Sequence, residues 1–214
     1  MGRTRSFDTG EVLDKAVDVF WERGYDAVGM QEICRVTGLN SGSLYAAFGD
    51  KRGLFVQALQ RYMGEVSQQA IERLNGNPSG LAGILDYFKS LVGAMVEGKR
   101  KWGCLVTNSV VEFAMTDAEI AQAFRLHLAR LEAAFAGAIE RARREGELPP
   151  GVPSQEAAAF LVCTVQGLNV LAKTRPGRKT LETAVRVAIG ALDSPSAGAS
   201  EPPTPSRAAR QARR

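Results

Sequence analysis

Only one histidine and three cysteines occur in the 214 residues. The cysteines, Cys34, Cys104 and Cys163, are odd in number, widely spaced and never in a CxxC pair, which argues against a disulfide framework or a zinc site. With a single His127, no HExxH string and no cluster of carboxylates, a metal site is not expected, and no cofactor is implied. A catalytic set is missing as well: one histidine and scattered acids do not supply a converging acid, base and nucleophile, so the chain does not read as an enzyme. No apolar run reaches the length of roughly 18 residues that a membrane span needs. The opening MGRTRSFDTGEV has charge but no apolar segment, so no secretory signal is expected and the location reads as cytoplasmic. The alternating pattern of a strand is also missing, which leaves an all-α chain.

Charge is present but decides little. The formal net charge is +4 and the isoelectric point about 9.1. The C-terminal Arg207, Arg210, Arg213 and Arg214, against Asp193 and Glu201, account for +2 of it, while residues 8–26 carry six acids. An architectural DNA binder would lean on that basic tail for non-specific affinity. Bulk charge therefore says little about nucleic acid, and the case has to rest on a motif.

Residues 1–7 read as a short basic arm. From Asp8, Val12, Leu13, Ala16, Val17, Val19 and Phe20 recur at helical spacing until Gly24 stops the helix. A short helix over Met30–Thr37 follows, broken by Gly38, and Ser41 is a good cap for a second one through Phe48. Asp50 caps a long helix running to about Leu74, which Asn75-Gly76-Asn77-Pro78 ends. Helical segments are then expected near 79–97, 104–115, 117–146, 154–174 and 178–192. Residues 193–214 are rich in Pro, Ser and Ala with nothing to bury, and read as disordered.

The stretch MQEICRVTGLNSGSLYAAF has helix-turn-helix mechanics. Two short helices cross steeply only if the turn holds a residue tolerant of positive φ, here Gly38. Ile33, Leu39, Leu44 and Phe48 would pack against the first helix and lock the crossing. Small residues at the start of the second short helix let its N-terminus approach a phosphate backbone closely. Residues 8–52 thus read as a three-helix DNA-binding domain, joined by the long helix to a larger helical domain over 53–192.

The strings FWERGYDAVGM and TGLNSGSLYAAFGDKRGLF, within residues 8–60, closely resemble the TetR family of transcriptional regulators. The resemblance implies that the helix beginning near Ser41 enters the major groove of a palindromic operator. By position, Asn40, Ser41, Gly42 and Ser43 would face bases or phosphates, and the Tyr45 hydroxyl and Lys51 ammonium would grip the backbone. Two departures stand out: Ala47 where members often carry a polar residue, and Val28-Gly29 where a hydroxyl often opens the second helix. The family further implies a homodimer built from the last two helices, and a small-molecule effector that relieves repression.

Phe160, Leu161, Val165, Leu168 and Leu171, with Leu181, Val185, Ala188, Ile189 and Leu192, make apolar stripes broader than one packed face needs; Ala157, Ala158 and Gly167 would permit close approach. Effector-facing candidates are Phe88, Met95, Cys104, Asn108, Phe124 and His127, with Gln166 beside them. Cys104 follows Lys99, Arg100 and Lys101 and opens a helix, a setting that favours thiolate. The string KWGCLVTNS also resembles the corresponding segment of electrophile-sensing members of the family, which would make modification of Cys104 a second route to release. Cys34 and Cys163 read as packing residues.

Overall fold

The computed structural model describes residues 7–98, 102–113 and 115–193, so most of the basic arm, the cations Lys99–Lys101 and the tail from 194 lie outside the described residues. Within them the chain is helical throughout, with no strand. The first three helices are α1 (Thr9–Arg23), α2 (Met30–Thr37) and α3 (Ser41–Phe48). Then come α4 (Lys51–Tyr62), a wider π turn (Met63–Ser67) and α5 (Gln68–Gly76) in unbroken succession. The remainder is α6 (Gly80–Val96), α7 (Leu105–Phe113), α8 (Ala118–Arg144), α9 (Ser154–Ala172) and α10 (Arg178–Gly190), closed by a single 3-10 turn (Ala191–Asp193).

Two expectations need correction here. Asn40, not Ser41, caps α3: its backbone is extended and its side-chain oxygen accepts the Ser43 N–H at 2.8 Å, so Ser41 is the first helical residue. The long helix from Lys51 is also not uniform, because its hydrogen bonding slips to the π pattern over Met63–Ser67.

The apolar residues sort into two cores. The first gathers Val12, Ala16, Phe20, Val28, Ile33, Leu44 and Phe48 with the α4 residues Leu54, Phe55, Ala58, Leu59 and Tyr62. It also takes in Cys104, Leu105 and Val106 at the start of α7, and Ile120 of α8. Phe20 meets Phe55 edge-on at 5.0 Å, and Tyr25 meets Phe113 of α7 at 5.1 Å, so aromatic contacts carry this core across to the second half of the chain. The second core is built around α8, which packs on α5, α6 and α9.

The dimer stripes read from the sequence divide in two. Leu161, Val165, Leu168, Leu181, Ala188 and Leu192, with Ala157 and Ala158, are buried in the second core of one chain, because α8 and α6 already cover those faces. Leu171, Val185 and Ile189 pack half-buried against the same core, so of the stripe Phe160 stays outside at 48% exposure, and Val170 and Val187, which the stripe did not include, are exposed as well at 52% and 60%. Cys163 is exposed beside them rather than packed.

The start of α6 is clamped by an acid beyond the end of α8. The Glu147 carboxylate accepts the Ser79 hydroxyl and the Leu81 N–H at 3.0 Å. These bonds, the serine's first, hold its carboxyl below the usual glutamate range. A depressed carboxyl stabilises the fold above its unfolded pKa of about 4.3 and loses that contribution as pH falls through the lower folded value. Glu147→Gln is therefore expected to lower the melting temperature at pH 7, with the gap to the parent closing as the buffer is taken to acid pH. Thermal melts across pH check this; a gap independent of pH would contradict it.

Candidate nucleic-acid interface and inner chamber

The α2–α3 turn is held from within. Gly38 adopts φ 74°, a left-handed conformation that side chains disfavour. The Thr37 hydroxyl donates to the Ile33 carbonyl at 2.7 Å, and the Gly38 N–H to the Cys34 carbonyl at 2.9 Å. Sequence reading passed over Thr37, although a threonine beside a turn glycine is a common back-bonding signal.

Helical phase then sets the face of α3. Leu44 and Phe48 are buried in the first core, which turns Ser41, Gly42, Tyr45 and Ala46 to solvent, with Asn40 exposed at the cap and Ser43 half-buried. Tyr45 is 48% exposed, so it is no core residue. Ala47 is turned the other way and packs against the core. At α2, Gly29 provides no side-chain cap, leaving the first-turn N–H groups without a side-chain acceptor.

Lys51 adds an unforeseen contact: its ammonium lies 4.1 Å from the centre of the Tyr25 ring. Burial pushes the Tyr25 phenol up, so the ring faces the lysine as a neutral aromatic. Charge around α2 is partly compensated, since Glu32 takes both Arg23 at 3.0 Å and Arg35 at 3.4 Å.

Three links tie this face to the rest of the chain. Glu112, near the end of α7, accepts the backbone N–H groups of Tyr25 and Asp26 at 3.4 and 3.2 Å. Arg52 of α4 grips Asp117 with two bonds of 2.8 and 3.0 Å and reaches Glu119 at 2.7 Å, at the start of α8. Trp21 of α1 stacks edge-on against Tyr62 and Trp102, at 5.2 and 5.9 Å. None of these links was visible in the sequence, because each joins residues at least 41 positions apart through the tertiary fold.

At the other end of α7 lies a small inner chamber. Cys104 is buried, and the Tyr62 hydroxyl points to its sulfur at 3.7 Å. The chamber between them is also lined by Ala70, Ile71, Tyr87, His127 and Leu131, with Val165, Gln166 and Asn169 on α9. Its free volume is about 30 Å³, enough for one or two water molecules and no more. Thr107 donates to Gln166 at 2.6 Å across the wall. Gly103 brings the chain so close to α9 that a Cβ there would stand 2.5 Å from the Asn169 carbonyl oxygen.

Of the six effector-facing candidates, the fold brings Cys104 and His127 to this chamber. Phe88 is fully buried against Tyr87 and Phe135, and Met95 belongs to the same second core. Phe124 packs on the first core instead. Asn108 donates to the Trp102 carbonyl at 2.9 Å and accepts from Lys173 at 3.3 Å, bracing the loop before Cys104. Helical spacing alone placed Phe88, Met95, Phe124 and His127 on inward faces and could not say which inward face was hollow. Tyr62, Tyr87 and Asn169 line the chamber without having been singled out.

Comparison with known proteins agrees with this architecture. A family model described as bacterial regulatory proteins, tetR family, matches residues 12–58, and one described as tetracyclin repressor-like, C-terminal domain, matches residues 80–188. The chain is 33% identical over 194 residues to the HTH-type transcriptional regulator YezE of Bacillus subtilis (strain 168), covering 90% of this chain and 100% of the relative. It is 28% identical to the HTH-type transcriptional repressor ComR of Escherichia coli (strain K12), covering 80% and 82%. Among solved structures, a cysteine mutant of the TetR family regulator CifR in complex with 26-base-pair operator DNA superposes with a TM-score of 0.75 at 30% identity, covering 88% of this chain and 99% of that one. With its helix-turn-helix presented on α2 and α3 and both halves matched, the chain belongs to the TetR family of bacterial DNA-binding transcriptional regulators.

Proposed function

We propose that this regulator is a cytoplasmic homodimeric repressor that leaves a palindromic operator when an effector, or chemical modification of Cys104, changes the spacing of its two α3 helices. The observation that carries the DNA-binding half is the outward polar face of α3, with Ser41, Gly42 and Tyr45 exposed over a buried Leu44 and Phe48. The relatives support the repressor reading: ComR is a repressor, and CifR has been seen on operator DNA. In this reading Asn40, Ser41, Gly42 and Ser43 meet bases or phosphates, while Tyr45 and Lys51 hold the backbone, Lys51 aimed by the Tyr25 ring. The DNA-binding unit extends to Tyr62, where the first core ends on α4. One helix-turn-helix buries too little surface for specificity, so two act together, and the exposed Phe160, Val170 and Val187 supply the apolar seam between protomers. Regulation of this kind calls for no catalysis.

Selection of bound sequences from random DNA would yield the operator, and an inverted repeat is the expected result. Lys51→Ala should then weaken binding to all sequences and reduce the slope of log affinity against log salt by about 1. Tyr45→Ala should weaken all sequences alike without that change in slope, whereas Ser43→Ala should alter base preference. An unchanged salt slope for the Lys51 variant, or an unchanged affinity for the Tyr45 variant, would refute the assignment.

In this reading Cys104 reports to the DNA-binding half. It sits in the first core, beside Tyr62, immediately before the helix whose far end carries Glu112. A chamber of about 30 Å³ admits small oxidants or electrophiles only. Cys104→Ser is expected to keep operator binding and to abolish release by hypochlorite. Mass spectrometry that finds Cys104 unmodified while release persists would remove this route.

A further inference from the structure

A second, larger hollow lies outside the inner chamber, on the far side of a wall made by Ala70 and Tyr87, which line both. It is a cleft of about 710 Å³ between α5, α6 and the start of α10, reaching Trp21 of α1 at one end. That volume falls within the range of about 300–1,000 Å³ typical of small-molecule sites, whereas the inner chamber falls far below it. Small residues keep the cleft open: Gly93 and Ala94 lie along α6, and a Cβ at Gly93 would meet nothing nearer than a Glu97 carboxylate oxygen at 4.0 Å.

Its chemistry is two-sided. Trp21, Tyr87 and Leu91 give an aromatic and apolar surface. Arg73, Lys89 and Arg178 stand around it against Asp86 and Glu97, an excess of one positive charge. Arg178 is paired with Glu182 at 3.4 Å. Arg73 is not neutralised: its guanidinium donates to the Ser90 hydroxyl, and no carboxylate lies within ion-pair distance among the described residues. A guanidinium with spare donors beside an aromatic surface suits a planar or apolar body bearing a carboxylate or similar anion. The arginine-rich C-terminal extension carries the wrong sign to occupy it.

We propose that this outer cleft is a binding site for a small organic anion, its acidic group on Arg73 and Ser90 and its apolar body against Trp21, Tyr87 and Leu91. The site is separate from the Cys104 chamber, so the protein holds one place for a bulky ligand and another for a small reactive one. Because the cleft touches both α1 and α6, an occupant bridges the DNA-binding half and the second core. The binding site does not depend on the repressor reading; only its use as an effector site does.

Isothermal titration of the full-length protein with 1-naphthoate and decanoate, against the neutral naphthalene-1-methanol and decanol, tests this. At least one acid should bind saturably, one per chain, and roughly tenfold or more tighter than its alcohol, as a charge-assisted hydrogen bond predicts. Arg73→Gln should erase that preference, and Gly93→Leu, which fills the cleft, should weaken acid and alcohol together. No saturable binding of either acid, or binding that neither variant alters, overturns the proposal. Operator release is read separately by gel shift. An acid that binds as described without displacing DNA supports the site and refutes its role as an effector site, whereas displacement that Gly93→Leu leaves untouched refutes the cleft itself.

Discussion

Gly42→Glu is expected to lower operator affinity by roughly a hundredfold or more while leaving the fold intact. Gly42 is exposed in the first turn of α3, and a Cβ there would stand 3.4 Å from the Asn40 side-chain oxygen, an ordinary contact. Glutamate has the better helix propensity by about 0.5–1 kcal/mol, and an acid in the first turn is favoured by the helix dipole. Both terms support an unchanged or slightly raised melting temperature. On DNA the same carboxylate would face phosphates, and like charges brought together at an interface cost several kcal/mol, about 1.4 of which is a tenfold loss. Gel shift against the selected operator, beside a thermal melt, gives both numbers. A variant that melts like the parent and still binds like it would remove α3 from the groove.

The largest structural loss should come from Gly80→Val. Gly80 lies where α6 begins against α8, and a Cβ there would sit 2.1 Å from the Ala138 carbonyl oxygen and 2.4 Å from the Ala142 N. Both are backbone atoms of a helix interior, so neither can swing away as a side chain tip would. Relief requires α6 to lift off α8, opening the second core around Ile84, Phe88, Phe135 and Ile139 and pulling Ser79 and Leu81 from the Glu147 clamp. Overpacking of this kind costs about 3 kcal/mol or more, a fall in melting temperature of roughly 6–12 °C for a chain of this length. Differential scanning calorimetry of the variant checks it, and a shift under about 2 °C, below the effect of even 1 kcal/mol, would mean that the two helices do not meet as described.

The two variants separate what the halves of the molecule do. Gly42→Glu acts on an exposed face with the core untouched, while Gly80→Val acts on the second core far along the chain from α3. The links between those halves are Glu112 to the Tyr25–Asp26 backbone and Arg52 to Asp117, and under the proposed function they would carry a change near Cys104 to α2 and α3. An effector can use them only through different affinities for two arrangements of α7.

How much of this was legible beforehand follows from the range of each interaction. Helix content, the Gly38 turn, the Asp50 cap and the buried Leu44 and Phe48 depend on residues within a few positions of one another, where spacing and capping rules act. The choice between Asn40 and Ser41 as cap was not legible, since both are good caps and only the backbone at Asn40 decides. Helical period put Phe88, Met95, Phe124 and His127 on inward faces alike. Whether an inward side chain meets a neighbour or a hollow depends on the helix opposite, which the period does not contain.

By itself, then, the sequence determined an all-helical chain with a helix-turn-helix near its start, because local periodicity, one left-handed glycine and polar caps suffice for that. The tertiary structure alone decided that Cys104 belongs to the first core beside Tyr62, that most of the α9 and α10 stripe is spent inside one chain, and that Lys51 rests on Tyr25. It alone set a narrow chamber and a wide cleft on opposite sides of Ala70 and Tyr87. Each of these turns on which helix faces which across long stretches of chain, and that is fixed by the packing of whole helices rather than by any residue's neighbours in sequence.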